Sequence, residues 1–224
     1  MNIQNKRWSE SLLFATFLTL AGGLQDGYSY VLRGHVFVNA LTGNVVLMAF
    51  HLADGDFSSM LRYFVQIAAF ALGVYVSGRI LFSEKKRLGL HYKQRILAAE
   101  IVILVAVGFL SAKLDPLANG LMAFSCGMQV NTFQKFADIN AATTMCVGNV
   151  RTIMHNLAGY HHTKNKNHRD ASRTVIYIVC VFFLGAFIGS LFFSLLGLKT
   201  IWLSAAFLCI SFFILYMDPA IRTE

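Results

Sequence analysis

Long runs without a formal charge constrain this chain more than any other feature of its sequence. No charged residue occurs in residues 175–198 or 200–217, and Asp26 is the only one in residues 12–32. About 20 apolar helical residues span the roughly 30 Å hydrocarbon core of a bilayer. Only 13% of all residues are charged, against about 25% in ordinary soluble domains. The runs therefore predict an integral membrane protein, because too few polar faces remain to cover a soluble core.

The positions of the basic residues predict how the chain is threaded. The apolar pattern predicts spans at about 11–32, 61–82, 96–112, 117–135, 174–197 and 200–217. Segments 36–53 and 139–158 are apolar too, and each either spans or re-enters. Basic residues cluster at the N-terminus and in residues 84–95 and 164–173, and short basic loops lie on the cytoplasmic side. Six spans with two re-entrant segments bring all three clusters and the C-terminus to that side.

We therefore expect an all-α transmembrane protein of one domain, residues 1–224, in the inner membrane of a bacterium. Its N- and C-termini are expected in the cytoplasm. The first apolar run, after Lys6-Arg7, is long and lacks a small-residue cleavage site, so an uncleaved helix is favoured over a signal peptide. The net charge of +8 does not indicate nucleic acid binding, because the Lys and Arg residues lie in short segments between apolar runs.

Two halves of the chain, at about residues 9–112 and 117–218, share short motifs in the same order. Gly23-Leu24-Gln25 matches Gly127-Met128-Gln129, and Gly43-Asn44-Val45 matches Gly148-Asn149-Val150. Each half would hold three spans, an odd number, so the second half is predicted to be inverted in the membrane. Inverted repeats with interrupted helices are the usual build of transporters, and their binding site lies near the middle of the bilayer.

The repeat predicts which polar residues line such a site. Asn44 and Asn149 occupy equivalent positions in the two ambiguous segments, and Gln25 and Gln129 do so in the helices before them. We expect all four to contact a solute at the same depth.

A break in each segment would place a helix N-terminus at that depth. Thr42 or Asn39 is predicted to cap the first of these helices, and Gly43 to relax its backbone. Two helix N-termini aimed at the middle of the membrane favour an anion or a polar neutral solute. Ordinary kinked helices, with glycine for close packing, are the alternative.

Asp26 and Arg151 are the charged residues of greatest interest. Ionisable groups at membrane depth usually face a cavity or a partner. We predict that Asp26 pairs with Arg151 across the two halves and that Arg151 sets charge selectivity. A purely structural salt bridge between the halves is the alternative. Glu100 lies nearer a cytoplasmic end, where pairing with Arg95 is expected, and proton coupling through Asp26 or Glu100 stays open.

The remaining motifs predict no cofactor and no metal. His161, His162 and His168 lie in a Lys- and Asn-rich stretch that is expected to be solvated. The four cysteines form no CxxC pair and are predicted to be small packing residues. Gly73 and Gly185 each begin a small-xxx-small pattern, which suits close helix packing inside the chain or in a homo-oligomer.

One block of sequence in each half carries a family resemblance. The blocks are Ala21-Gly22-Gly23-Leu24-Gln25-Asp26 with Leu41-Thr42-Gly43-Asn44-Val45, and Gly127-Met128-Gln129 with Thr143-Thr144 and Gly148-Asn149. They resemble the YoaK family of bacterial membrane proteins, a domain of unknown function. The resemblance covers essentially the whole chain and implies a small polytopic inner-membrane protein, without an activity. Cys146-Val147-Gly148 stands where a Thr-Gly pair is expected in the second block.

The sequence thus favours a transporter or channel for an anion or small polar metabolite, and not an enzyme. The residues predicted to line its path are Gln25, Asp26, Asn44, Gln129, Asn149 and Arg151. Two other classes stay open. A scaffold or sensor that binds a partner or lipid predicts a dry, well-packed centre. A membrane-embedded enzyme requires a lateral cleft with convergent titratable groups.

Overall fold

The computed structural model describes residues 11–83, 91–136, 139–140, 143–144 and 146–218. The helices in these residues are α1 (Leu12–Leu32), α2 (Leu41–Ala53), α3 (Phe57–Phe82), α4 (Tyr92–Val107), α5 (Asp115–Thr132), α6 (Cys146–Thr163), α7 (Lys166–Leu196) and α8 (Ile201–Tyr216). Short 3-10 turns, Ala112–Leu114 and Gly197–Thr200, precede α5 and α8. Strands β1 (Lys135–Phe136) and β2 (Ile139–Asn140) form a small antiparallel pair. The predicted helical class is therefore confirmed.

Two stretches are long and apolar enough to cross a membrane by length and composition. They are α3 and the 51-residue stretch Lys166–Tyr216, which contains α7 and α8. Only 17% and 28% of their most apolar windows are buried, so most of these apolar side chains face outward. Large outward apolar surfaces indicate a membrane or protein partner. The helix α2 is apolar too but shorter.

The two ends of the bundle can be told apart at Arg33, the C-cap of α1. Its guanidinium donates to carbonyls of the α4–α5 connection and pairs with Asp115, at the start of α5, at 2.8 Å. The guanidinium of Arg62, near the start of α3, lies against Gly34. The ends of α1 and α4 and the starts of α3 and α5 therefore lie together. We call this the Arg33 end of the bundle, and the opposite one the Ser11 end.

The longer helices pack in pairs of defined direction. Helices α1 and α7 run parallel, and so do α3 and α5. In each pair, later residues of one helix contact later residues of the other. These contacts are Leu20 with Gly185 and Leu24 with Gly189 for the first pair, and Val65 with Gly120 and Ser77 with Asn131 for the second. Helix α4 runs antiparallel to α8. It follows that α7 begins at the Ser11 end and α8 begins at the Arg33 end.

Glycines stand where the parallel helices touch backbone to backbone. A Cβ atom at any of four positions would overlap a backbone carbonyl of the facing helix: Gly23 and Gly185 in the α1–α7 pair, and Gly73 and Gly127 in the α3–α5 pair. Small residues at such crossings are typical of helices packed in membranes. The predicted small-residue patterns that begin at Gly73 and Gly185 thus serve packing inside the chain.

The helices α2 and α6 lie at the periphery, where α2 packs on α3 and α6 packs on α7. Helix α6 begins at Cys146, later than the predicted residue 139, because the chain before it forms the strand pair. Helix α7 begins at Lys166 and not at residue 174. Its polar first turns are capped by Asn165, whose side chain accepts from the Asn167 N–H, so the helix extends beyond its apolar part.

Candidate functional site

Non-helical chain from both halves reaches the middle of α1. After α1 ends, residues 34–40 turn back along it, and Asn39 Nδ2 donates to the Gly22 carbonyl at 2.9 Å. From the other half, the Thr143 carbonyl and the Thr144 methyl group lie against Gly22, 3.4 and 3.0 Å from where a Cβ atom would stand. Gly22 lies midway along Leu12–Leu32. We call this meeting point of Gly22, Asp26, Asn39, Thr143 and Thr144 the Gly22 junction.

Both peripheral helices start near the junction and leave in opposite directions. Helix α2 begins two residues after Asn39 and leads through the turn at residues 54–56 into α3, which begins at the Arg33 end. Helix α6 begins two residues after Thr144 and leads through residues 164–165 into α7, which begins at the Ser11 end. Neither segment therefore runs from one end of the bundle to the other.

Asp26 fixes the first segment to α1. Its buried carboxylate accepts a hydrogen bond from the backbone N–H of Asn39 at 2.9 Å and another from the backbone N–H of Val38. The predicted ion pair with Arg151 is not formed, since Arg151 is exposed on α6. The backbone N–H groups supply the compensation that a buried carboxylate needs, and no cation has to reach it.

Asn44 and Asn149 face the protein interior, and both are buried. Asn44 Nδ2 donates to the Phe37 carbonyl at 2.6 Å, which ties the first turn of α2 to the extended chain before it. The prediction that Thr42 or Asn39 caps α2 is wrong. The N-cap is Ala40 and forms no side-chain hydrogen bond, because the Asn39 side chain is used on Gly22.

The two predicted glutamines occupy matching positions but have different partners. Gln129 Nε2 approaches the Thr143 hydroxyl at 3.4 Å, so Gln129 borders the Gly22 junction. Gln25 Nε2 instead donates to the Ser204 hydroxyl of α8 at 3.0 Å, and that hydroxyl donates to the Ala21 carbonyl. Of the two, only Gln129 is brought to the junction by a hydrogen bond.

Two further polar groups lie beside the junction on α4 and α5. The buried thiol of Cys126 is next to the Thr144 side chain, and the carboxyls of Asp26 and Glu100 are close enough to act on it electrostatically. The predicted pair between Glu100 and Arg95 is not formed, because neither Glu100 oxygen has a hydrogen-bond partner in the described part of the chain. Cys126 fits its predicted packing role, whereas Cys146 and Cys180 are exposed.

Arg151 and His155 lie one helical turn apart on the exposed face of α6. Further along, His161 and His162 are exposed, as predicted for this stretch, whereas the half-buried His168 ring contacts the Asn156 side chain at 3.0 Å across the α6–α7 turn. Within the described ranges, no group of three His, Cys, Asp or Glu side chains is placed to hold a metal ion.

Sequence reasoning overlooked Arg33, whose side chain is completely buried. Its guanidinium donates to the Tyr28 hydroxyl, to three carbonyls of residues 107–111 and to Asp115. The only sequence signal for its structural role was its position directly after an apolar run. A basic residue at such a position is normally assigned to a solvated loop. Arg33 joins the two halves at one end of the bundle and is remote from the junction.

A helical bundle with outward apolar faces, and with stretches that are long and apolar enough to cross a bilayer, defines the class of membrane proteins. A family model described as "Protein of unknown function (DUF1275)" matches residues 14–214, and the chain belongs to that family. The "UPF0700 transmembrane protein YoaK" of Bacillus subtilis (strain 168) is 23% identical over 170 residues, which is 74% of this chain and 76% of the relative. The predicted resemblance to the YoaK family is thereby confirmed. No solved structure matches.

Proposed function

We propose that this protein carries a small polar or anionic solute across the bacterial inner membrane through the Gly22 junction. It would do so with six spanning helices, α1, α3, α4, α5, α7 and α8, and two re-entrant segments. The observation that supports this most directly is the meeting of two non-helical segments, one from each half, at the middle of α1. Non-helical backbone at membrane depth occurs only where protein surrounds it or where it lines a water-filled cavity.

The helix directions support an inverted repeat. In the first half α1 runs toward the Arg33 end, α2 ends there, α3 returns and α4 runs toward the Arg33 end again. The second half repeats this order with every direction reversed, from α5 to α8. The packing pairs correspond too, since α1–α7 and α3–α5 exchange under the repeat. Transporters built this way bind their solute where the halves meet.

The charges orient the bundle. Basic residues are concentrated at the Ser11 end, and among the described ones they are Arg79, Lys93, Arg95, Lys164, Lys166, Arg169 and Arg173. The predicted basic residues at Lys6-Arg7, Glu84–Arg87 and Arg222 lie outside the described residues. By the positive-inside rule the Ser11 end faces the cytoplasm. The two ends of the described chain, at Ser11 and Asp218, then lie there, as does the C-terminal end of α6.

Arg151 supports a water-filled approach from that side. It lies five residues after the start of α6, about 8 Å along the helix from the junction, at a rise of 1.5 Å per residue. With the junction at mid-membrane, this depth falls well inside a half-core of about 15 Å. An exposed arginine facing lipid at that depth costs about 3 kcal/mol or more. We infer that Arg151 and His155 face water in a cytoplasmic vestibule and attract anions.

A scaffold or sensor is the second candidate, and one observation favours it. Asn44 and Asn149 are buried, and Asp26 is occupied by backbone N–H groups, so the junction is closed in this conformation. A protein that only binds a partner would keep it closed, whereas a transporter must open it. The two functions therefore differ in whether water ever reaches the junction.

Single cysteines in a background without the four native ones test the proposal. Ser58→Cys and Lys113→Cys should react with an impermeant thiol reagent on intact cells, and Lys93→Cys and Lys166→Cys only after the membrane is opened. Labelling of Lys93→Cys from outside would refute the six-span topology. Purified protein in vesicles would then be screened for uptake of anions and small polar solutes. If Asn44→Cys and Asn149→Cys resist even a small permeant reagent and no solute enters, the scaffold is favoured.

A further inference from the structure

Glu100 lies at the centre of α4, in the interior of the bundle. Toward the Ser11 end, Gln94 Nε2 contacts the Leu215 carbonyl at 3.4 Å. Toward the Arg33 end, the Val105 carbonyl accepts from Trp202 Nε1 at 3.1 Å. Between these two contacts with α8, Glu100 is completely buried.

The neighbouring positions on the same face of α4 are apolar. Leu97 and Leu104, one turn before and one turn after it on the same helix face, are completely buried as well. Neither carboxyl oxygen of Glu100 has a hydrogen-bond partner among the described residues. A buried polar group without a partner is uncommon and indicates a functional role or a ligand.

No basic group within the described residues compensates Glu100. The titratable groups of the two helices that pack most closely on α4 are Cys126 and Asp115 on α5, and Cys209 and Tyr216 on α8. Helix α3, which touches α4 less, carries Arg62 and Tyr63 near its start and Tyr75 and Arg79 toward its end. The basic residues of α4 itself, Lys93 and Arg95, lie in its first turn, about 7 Å or more along the axis. An ionised carboxylate left alone in such a place is so costly that it takes up a proton instead.

We propose that Glu100 is a proton-binding site, which holds a proton in this closed conformation and exchanges it when the bundle opens. This rests on the proposed transport function and makes that transport proton-linked. A metal cation is a poorer occupant, because hard cations require several oxygen ligands at once and the neighbouring positions on this helix face are leucines. The Cys126 thiol lies within electrostatic range of both Glu100 and Asp26, so a proton on Glu100 changes the potential at the Gly22 junction.

Infrared difference spectroscopy on the full chain in lipid vesicles tests the site without a known solute. A protonated carboxyl has a C=O stretch that an ionised one lacks and that shifts in heavy water. We expect such a band at neutral pH that is lost reversibly when the pH is raised. The band should be absent in Glu100→Gln, moved in Glu100→Asp, and retained in Asp26→Asn and in Asp218→Asn, which remove the other carboxyls that are buried in the described residues. Asp170→Asn, at an exposed carboxyl, is the matched control.

Any one of four results would overturn the proposal. The band is absent from the wild type, or it survives in Glu100→Gln, or it is present but unchanged at every pH at which the protein stays folded. A band abolished only by sodium would assign the site to that cation and refute the proton site. Failure of the transport proposal is recognised separately, because an unsuccessful solute screen leaves the infrared band as it is. Thermal unfolding of each variant in detergent shows which of them fold.

Discussion

The helices α2 and α6 pack in similar ways but present different outer faces. Each packs on the helix that follows it and turns an asparagine inward, Asn44 or Asn149. Aligned on these asparagines, Val46 and Phe50 of α2, which are 63% and 62% exposed, correspond to Arg151 and His155 of α6. One packing scheme thus supports outer residues of different kinds at these two positions, which are apolar on α2 and polar on α6, while α6 exposes Val147, Val150 and Met154 as well. The inward contacts set the position of each helix, and the outward residues report what surrounds it.

The contacts that hold the chain before α2 and before α6 differ as well, and this difference gives the largest predicted effect on stability. Asp26→Ala removes the acceptor of two buried backbone N–H groups, at about 1–3 kcal/mol each, so we expect stability to fall by about 3 kcal/mol. Val130 holds the matching place on α5, and Val130→Ala should cost only about 1 kcal/mol. Thermal unfolding in detergent measures both. Equal losses would show that the first segment is not held by Asp26.

The two helix crossings should respond alike to a methyl group. Gly73→Ala and Gly185→Ala each place a Cβ atom against a backbone carbonyl, and we expect a loss of about 1–3 kcal/mol at both. Gly43→Ala and Gly148→Ala are the matched controls, since nothing lies within 4 Å of their Cβ positions. The free energy of unfolding of these two variants should lie within about 1 kcal/mol of the wild-type value. Any change should be an increase in stability, because alanine has a higher helix propensity than glycine. A large loss at one crossing only would argue against equivalent halves.

Substitutions of the outer residues of α2 and α6 test which of the two helix faces contacts water and which contacts lipid. Arg151→Gln should leave stability nearly unchanged and lower anion uptake by about tenfold at low salt, because it removes a charge that concentrates anions. The difference should shrink as salt screens that charge. Val46→Gln, on the matching face of α2, should leave uptake unaltered. Uptake that is insensitive to Arg151→Gln, or equally sensitive to Val46→Gln, would remove the distinction between the two faces.

The residues that cap α3 and α7 give the smallest predicted effect. Stability should depend on pH through the cap of α3 and not through the cap of α7. Hydrogen bonds from the side chain and backbone of Ser59 hold the pKa of Asp56 below its ordinary value of 3.8. The stabilisation by this cap is present above that value and is lost as the pH falls through the lowered pKa. Asn165, which caps α7, does not titrate. Asp56→Asn should therefore flatten the acid side of the unfolding profile slightly, and Asn165→Ser should not.

The sequence was sufficient where apolar length and charge decide the outcome. The eight α-helices of the described residues correspond to the eight predicted segments, because uninterrupted apolar runs such as 175–198 leave no alternative in lipid. Helix ends were predicted less well. The start of α7 lies in a Lys- and Asn-rich stretch, where hydropathy carries no information and the Asn165 cap decides.

Partners of buried polar groups were the part that sequence could not supply. Asp26 was predicted to meet Arg151, but residues 38–39 fold back and satisfy it with backbone N–H groups, which every residue except proline has. Glu100 was assigned to Arg95 by proximity along the chain, yet its side chain faces the interior. The environments of both carboxyls depend on how distant segments of the chain pack together, which leaves no pattern in the sequence. The sequence motif shared by Asn44 and Asn149, by contrast, singled out two asparagines that are both buried.

Arg33 bears on the order of events during biosynthesis. Val107, whose carbonyl it binds, is 74 residues further along the chain, and Asp115 lies beyond that. When α1 and α2 leave the ribosome, this guanidinium has none of these acceptors and stays at the aqueous surface. Completion of the first half therefore waits for the start of the second. We expect nascent chains arrested before Val107 to expose a cysteine placed at Val36, which is buried in the folded chain, to thiol reagents, and chains extended past Asp115 to protect it.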